Sequence, residues 1–180
     1  MTESTAAPLF STPCYAREAS VSPVSMRFVV AQDAASATML LDHPVSTVLL
    51  SLSGELLAGV EHEQLVHSEA LCLRLQVLLS QAPAGTRLYA VGDESFLWQA
   101  QRTAHQAGLL VDEIELFKQG TRRRMYCVHC SGFQDIADEG ECTCSHCGVR
   151  LLVREHFSQR LGAYMGVCLN PDQPYAEARP

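Results

Sequence analysis

The residues most able to do chemistry are four cysteines in the last third of the chain. They form two C-x-x-C pairs, Cys127 with Cys130 and Cys144 with Cys147, with thirteen residues between the pairs. A C-x-x-C pair on a tight turn directs two thiolates at one point, and a second pair completes the tetrahedral four-thiolate set that zinc and iron prefer. The spacing therefore predicts a metal ribbon with these four ligands. Zinc is the expected metal, and iron in the same site is the alternative.

The residues around the two pairs leave some choices open. Gly132 and Gly148 follow the pairs, where a turn favours a residue that tolerates positive φ. Cys142 stands two residues before the second pair, and a C-x-C step points its side chains less readily at one ion, so we expect a bystander. The loops contain His129 and His146, which we expect to face solvent. Two disulfides are the other use of such pairs, but they require an oxidising compartment.

Composition limits the classes of protein that the chain can belong to. The 180 residues are 47% hydrophobic and 18% charged, which is typical of a globular protein, and the net charge of -7 argues against a nucleic-acid or anionic-membrane surface. The longest apolar stretches are far shorter than the roughly 20 residues that span a bilayer. Residues 1–25 lack the continuous apolar core of a secretory signal. We therefore expect a cytoplasmic protein with reduced thiols.

Hydrophobic patterns before the cysteines alternate between strand and helix. The predicted elements are, in order, a strand Arg27–Ala31, a helix capped by Asp33, a strand Thr47–Leu52, a helix from Ser68, a strand Arg87–Val91, a helix ending at Gly108 and a strand Leu110–Leu116. Such alternation predicts an α/β fold with a small parallel sheet of about four strands, like a Rossmann or ferredoxin-reductase nucleotide domain.

A fold of this kind raises the question of a nucleotide site, but the phosphate loop is missing. The turn after Leu52 contains one glycine where a dinucleotide fingerprint needs three, and Glu55 would place a carboxylate near the pyrophosphate. The turn that begins at Gly92 is also acidic. We therefore expect no bound cofactor in the sheet domain.

These patterns divide the chain into a flexible leader (1–25), the sheet domain (26–119), the four-cysteine ribbon (120–170) and a tail (171–180). Three consecutive arginines precede the ribbon, and a segment with a possible surface helix follows its closing strand Leu151–Val153. Arginine and aromatic side chains often dominate interface energetics, which suggests that these two segments bind a partner. The candidate partner-binding residues are Arg122, Arg123, Arg124, Phe157 and Tyr164.

Three segments of the ribbon resemble a known family. They are Arg-Met-Tyr-Cys-Val-His-Cys from Arg124, Cys-Ser-His-Cys-Gly from Cys144 and Leu-Leu-Val-Arg-Glu-His-Phe-Ser-Gln-Arg-Leu-Gly-Ala-Tyr-Met-Gly-Val from Leu151. This region resembles the carboxyl-terminal domain of the dimethylamine monooxygenase family of accessory subunits with a four-cysteine ribbon. The resemblance implies a small subunit that works beside two others, a haem-dependent N-demethylase subunit plus a flavin and iron-sulfur reductase subunit.

The sequence contains no catalytic motif of its own: it has no G-x-S-x-G, no H-E-x-x-H and no phosphate cradle. The leading hypothesis is a non-catalytic accessory subunit of an amine monooxygenase, which scaffolds or regulates electron delivery between reductase and haem oxygenase. A rubredoxin-like single-iron electron carrier is the alternative. The third hypothesis is a zinc-ribbon nucleic-acid-binding protein whose phosphate contacts are Arg122, Arg123 and Arg124.

Overall fold

The computed structural model describes residues 12–20 and 23–174, which form two compact units. One unit contains residues 15–121, and the other contains the described residues from Arg122 onward together with residues 12–14. Each unit has its own five-stranded sheet. The division falls two residues after the boundary that the sequence suggests between residues 119 and 120.

The unit of residues 15–121 is a parallel α/β sheet. Its elements are β1 (Met26–Asp33), a 3₁₀ helix (Ala34–Leu40), β2 (Thr47–Ser53), β3 (Glu61–Gln64), α1 (Ser68–Leu79), β4 (Thr86–Gly92), α2 (Glu94–Gln106), a 3₁₀ turn (Val111–Glu113) and β5 (Ile114–Lys118). All neighbouring strands run parallel, in the order β3-β2-β1-β4-β5. The predicted α/β class is confirmed, and this order is that of the first five strands of a doubly wound nucleotide-binding sheet.

The central strands are apolar on both sides because both faces of the sheet are covered. Helices α1 and α2 contact each other and the strands β2, β4 and β5. A second apolar cluster joins the 3₁₀ helix to the sheet, and its buried members are Val29, Ala31, Ala34, Ala37, Leu40, Leu49, Tyr89, Val91 and Phe117. Asp33 caps this 3₁₀ helix by accepting a hydrogen bond from the Ala35 N–H, as the sequence predicts.

Three details of this unit differ from the sequence-based expectation. The sheet has five strands because the segment expected to be irregular contains β3, a polar strand at the edge of the sheet. The last strand begins at Ile114, since the preceding residues form the 3₁₀ turn. Part of the expected flexible leader is ordered: the Ala16 N–H donates to the Leu116 carbonyl at 2.8 Å, and Ala19 packs against the apolar cluster. Residues 1–11 and 21–22 of that leader, and 175–180 of the tail, lie outside the described residues.

The unit from Arg122 onward is a mixed sheet. Its strands are β6 (Arg123–Cys127), β7 (Phe133–Ile136), β8 (Glu141–Thr143), β9 (Arg150–Ser158) and β10 (Ala163–Cys168), in the order β7-β6-β10-β9-β8. Strands β6 and β10 run parallel, and the other pairs are antiparallel. The surface helix expected after Val153 is wrong, because this segment is the antiparallel hairpin of β9 and β10.

One face of this second sheet forms a small apolar core. Paired residues lie on the same face of a sheet, so Met125, Tyr164 and Phe157 point to one side across three strands. All three side chains are buried, as are Leu151 and Val153 on the same face. A Cβ placed on Gly166 would lie 3.1 Å from Leu151 Cδ1 and would collide with the Met125 sulfur, so the packing requires glycine there.

Candidate metal centre

The four predicted cysteines lie on two similar turns, one after β6 and one after β8. In the first turn, the Ser131 N–H donates to the Cys127 carbonyl at 2.8 Å, and the Cys127 N–H donates to the Gly132 carbonyl at 2.8 Å. In the second turn, the Gly148 N–H and the Cys144 carbonyl make the matching bond at 2.9 Å. The two turns therefore present their thiols in the same local geometry.

The four sulfur atoms converge on one point. They all lie within 4.8 Å of one another, with 3.9 Å between the sulfurs of Cys127 and Cys147 and 3.6 Å between those of Cys130 and Cys144. Four Zn–S bonds of about 2.3 Å in a tetrahedron put neighbouring sulfurs about 3.8 Å apart, so the thiols fit a four-coordinate metal ion. A disulfide would need about 2.05 Å. The alternative of two disulfides is not what the structure shows, because all the cysteines are free thiols.

Protonation of the thiols depends strongly on their position in the turns. Burial raises the pKa of Cys127 to about 12. Burial also acts to raise the pKa of Cys144, but hydrogen bonds from the Cys147 and His146 N–H groups and from neighbouring thiols outweigh it and leave this pKa at about 7. Burial raises the pKa of Cys147 as well. Metal binding at this site therefore releases protons, since ligating cysteines are thiolates.

The residue after each pair carries the left-handed backbone conformation. Gly148 has φ 71° as expected, but in the first turn the positive φ of 60° belongs to Ser131 instead of Gly132. Gly132 is required for another reason: a Cβ there would lie 2.9 Å from His146 Cδ2 and 3.3 Å from the Cys130 sulfur. Close packing between the two turns, which the sequence does not reveal, thus explains this glycine.

The other candidate ligands lie outside the sulfur cluster. Cys142 is half-buried, and its sulfur accepts a long hydrogen bond of 3.9 Å from the Gln134 amide. Gln134 also accepts the Ser145 N–H at 2.7 Å, so this unpredicted residue ties β7 to the second turn. His129 in the first turn is exposed, and His146 Nε2 in the second lies 2.9 Å from the Phe133 carbonyl. The bystander role of Cys142 stays a prediction that these contacts favour.

The three arginines make contacts within the ribbon. Arg123 is the most enclosed, with 13% of its side chain exposed. It donates to the Glu139 carbonyl at 2.8 Å and stacks 4.8 Å from the Tyr164 ring centroid. Arg124 stacks over the ring of Phe133 at 4.4 Å, and Arg122 lies 3.7 Å from the Asp135 carboxylate. These contacts give the arginines structural roles that the sequence-based docking hypothesis does not include.

The two candidate partner-binding aromatic residues are not exposed. Phe157 is 4% exposed and Tyr164 is 7% exposed, and their rings meet edge to face with centroids 5.0 Å apart. The expectation that these rings lie at the surface is wrong, because they belong to the core of the mixed sheet. Internal packing against their own sheet explains their positions.

The carboxyl edge of the parallel sheet is the place where related folds bind nucleotides, at the switch between β1 and β4. Here the Gln32 amide donates to the Asp93 carboxylate at 3.0 Å, and the Asp93 N–H donates back to Gln32 Oε1 at 2.7 Å. Asp93 also caps α2 by accepting the Phe96 N–H at 2.9 Å. The chain's own side chains thus occupy the helix amino terminus that would otherwise meet a phosphate.

Together, these features define a class of protein in which a parallel α/β unit is joined to a four-cysteine ribbon. Among the described residues, no helix has the length and apolarity needed to cross a membrane. Sequence models of the family described as "Dimethylamine monooxygenase subunit DmmA-like" match residues 52–114 for its N-terminal domain and 124–167 for its C-terminal domain. The two matches together cover more than half of the chain, and the chain belongs to this DmmA-like family.

One relative comes from Ectopseudomonas mendocina (strain ymp) and is named "Heme-dependent oxidative N-demethylase delta subunit". It is 49% identical over 112 residues, which are 61% of this chain and 63% of the relative. The match thus spans less than two thirds of the relative's length. The family resemblance inferred from the ribbon is confirmed.

Proposed function

We propose that the chain is a non-catalytic accessory subunit of a haem-dependent amine N-demethylase, of the dimethylamine monooxygenase type. The observation that carries this proposal is the match to both domains of the DmmA-like family, together with a relative named as the delta subunit of such an enzyme. Its partners are two further subunits, one a haem-dependent N-demethylase and one a flavin and iron-sulfur reductase, and the complex is cytoplasmic. The chain scaffolds or regulates electron delivery between them.

Zinc is the proposed metal, held by Cys127, Cys130, Cys144 and Cys147. Four thiolates fill a tetrahedral shell and leave no position for substrate or water, which favours a structural site over a catalytic one. The ribbon unit is also small, and a unit of this size gains much of its stability from a bound metal. When bound, the ion supplies folding free energy and holds the two turns together.

The parallel sheet supports a scaffolding role for a second reason. Its nucleotide-type edge is closed by the paired Gln32 and Asp93, and the first turn of α2 carries the buried Glu94, which is ion-paired with Lys118 at 2.9 Å. Carboxylates at this position repel phosphate groups. The unit therefore serves as a folded platform without a nucleotide of its own.

A rubredoxin-like single-iron carrier is the second candidate, and one feature of the site favours it. Cys130 is exposed and Cys147 is half-buried, so two sulfur ligands reach the surface, where an electron could pass to a partner. The same sulfur spacing suits iron. Nucleic-acid binding is less well supported, because Arg123 and Arg124 are already stacked on Tyr164 and Phe133.

Purification of the tagged full-length chain from its own cells tests both proposals. We expect the haem and reductase subunits to copurify, with one equivalent of zinc in the chain and no visible absorption from it after separation. Ferric thiolate absorbs in the visible region, so a red chain with one iron would establish the carrier alternative. Recovery of the chain without either of these subunits, at physiological salt, would contradict the accessory role.

A further inference from the structure

The outer face of the mixed sheet carries a row of apolar side chains. Tyr126 on β6 pairs with Phe133 on β7 and with Met165 on β10, so these three share a face. Val167 lies two residues beyond Met165 and pairs with Leu152 on β9, which continues the row across four strands. We call these five residues the outer stripe. Their neighbours in sequence, such as Met125 and Leu151, point to the buried face.

The outer stripe remains accessible to solvent. Leu152 is 37% exposed, and the other four residues are partly exposed. The rings of Tyr126 and Phe133 lie 5.1 Å apart, which holds them in place before any partner arrives. Aromatic residues and methionine are enriched at the centres of protein interfaces, and rigid rings lose little entropy when they bind.

A bulge in β9 borders the outer stripe. Val153 pairs with Gly166 and Phe157 pairs with Tyr164, so Arg154, Glu155 and His156 stand opposite the single residue Met165. All three bulge residues are exposed. Extra residues of this kind interrupt strand pairing and redirect side chains outward, and they occur preferentially near functional surfaces.

The charges beside the outer stripe indicate what kind of partner fits. The acidic residue Glu141 is ion-paired with Arg150 at 2.9 Å, and Asp135 lies 3.7 Å from Arg122. In the described part of the chain, Arg124 and Arg154 have no ion-pair partner, which leaves two cations at this face. A partner with carboxylates beside an apolar patch would therefore complement it.

We propose that the outer stripe and the β9 bulge form the docking face for another subunit of the enzyme, through an apolar patch flanked by carboxylates. This inference rests on the proposed function. The face lies within residues 124–167, which match the family's C-terminal domain. A second copy of this chain is a poorer occupant, since each copy carries a net charge of -7 and the copies repel each other.

Binding of the full-length, metal-loaded chain to each of the other two subunits, the purified haem protein and the purified reductase, tests the docking face. The variants are Leu152→Glu, which puts a charge into the outer stripe, and Arg154→Glu, which reverses a charge in the exposed bulge. Matched controls elsewhere are Leu73→Glu, at a leucine that is 66% exposed on α1, and Arg160→Glu, at an exposed arginine after β9. Metal content and thermal stability of each variant show that it is folded.

We expect one of the two subunits to bind the wild-type chain and both test variants to weaken that binding by about tenfold or more, while the controls stay within about twofold. Arg154→Glu should also reduce the salt dependence of the association rate. Wild-type affinity in both folded test variants would overturn the docking face and leave the proposed function standing. A wild-type dimer that Leu152→Glu dissociates would overturn it as well, by assigning the face to a second copy. A wild-type chain that binds neither of the two would overturn both proposals.

Discussion

Replacing Cys147 by serine is expected to release the metal and unfold the ribbon unit. Its sulfur lies 3.9 Å from that of Cys127 within the four-sulfur cluster. A structural zinc site contributes about 10–16 kcal/mol in zinc-finger peptides, so the loss of one ligand in four removes about 2.5–4 kcal/mol. That loss lowers zinc affinity by about 10²- to 10³-fold. Cys147 is half-buried, so the substitution itself disturbs little packing.

Cys142→Ser is the matched control, because Cys142 is also half-buried and its sulfur contacts the Gln134 amide but lies outside the cluster. Competition with a chromophoric chelator measures the affinity, and hydrogen exchange compares residues 122–174 with residues 15–121 in the same molecule. We expect Cys147→Ser to lose protection in the ribbon alone and Cys142→Ser to resemble the wild type. Equal metal loss in the two variants, or full affinity in Cys147→Ser, would refute the choice of ligands.

Three further predictions concern single features of the two units. Ser131→Gly removes a non-glycine residue from φ 60° and should raise the ribbon's stability by about 0.5–1 kcal/mol in denaturant titrations; a loss of stability would contradict the strain argument. Arg123→Ala should cost about 1–3 kcal/mol, through the lost carbonyl hydrogen bonds and the lost stacking on Tyr164, whereas Arg122→Ala, at a side chain that is 57% exposed, should change stability by less than about 0.5 kcal/mol. NADH, NADPH, FMN and FAD should each leave the melting temperature unchanged, because a ligand at 100 times its Kd adds about 2.7 kcal/mol and would be seen.

The metal turns and the parallel sheet could be predicted because their signals are local. Ligand spacing in a C-x-x-C pair depends on a few residues of one turn, and strands such as Thr47–Ser53 are buried apolar runs. The edge strand Glu61–Gln64 could not be predicted, since four polar residues carry no strand signal and the strand exists through pairing with β2.

The segment from Arg154 to Val167 shows why the remainder could not be predicted. Leu151 and Val153 alternate as a strand should, but the bulge places the next buried residue, Phe157, four positions later. That spacing is typical of a helix, so the period of the pattern indicated the wrong element. The roles of the arginines were equally hidden, because a run of charge does not reveal that Arg123 meets the carbonyl of Glu139.

The most direct test of an accessory role is amine demethylation by the reconstituted enzyme. Formaldehyde release is measured with the haem and reductase subunits alone, with the chain added, and with the chain by itself. We expect no turnover by the chain alone and a saturable change in the rate, or in the electrons consumed per formaldehyde, when it is added to the other two. Turnover by the isolated chain, or identical rate and coupling with and without it, would contradict the proposed function.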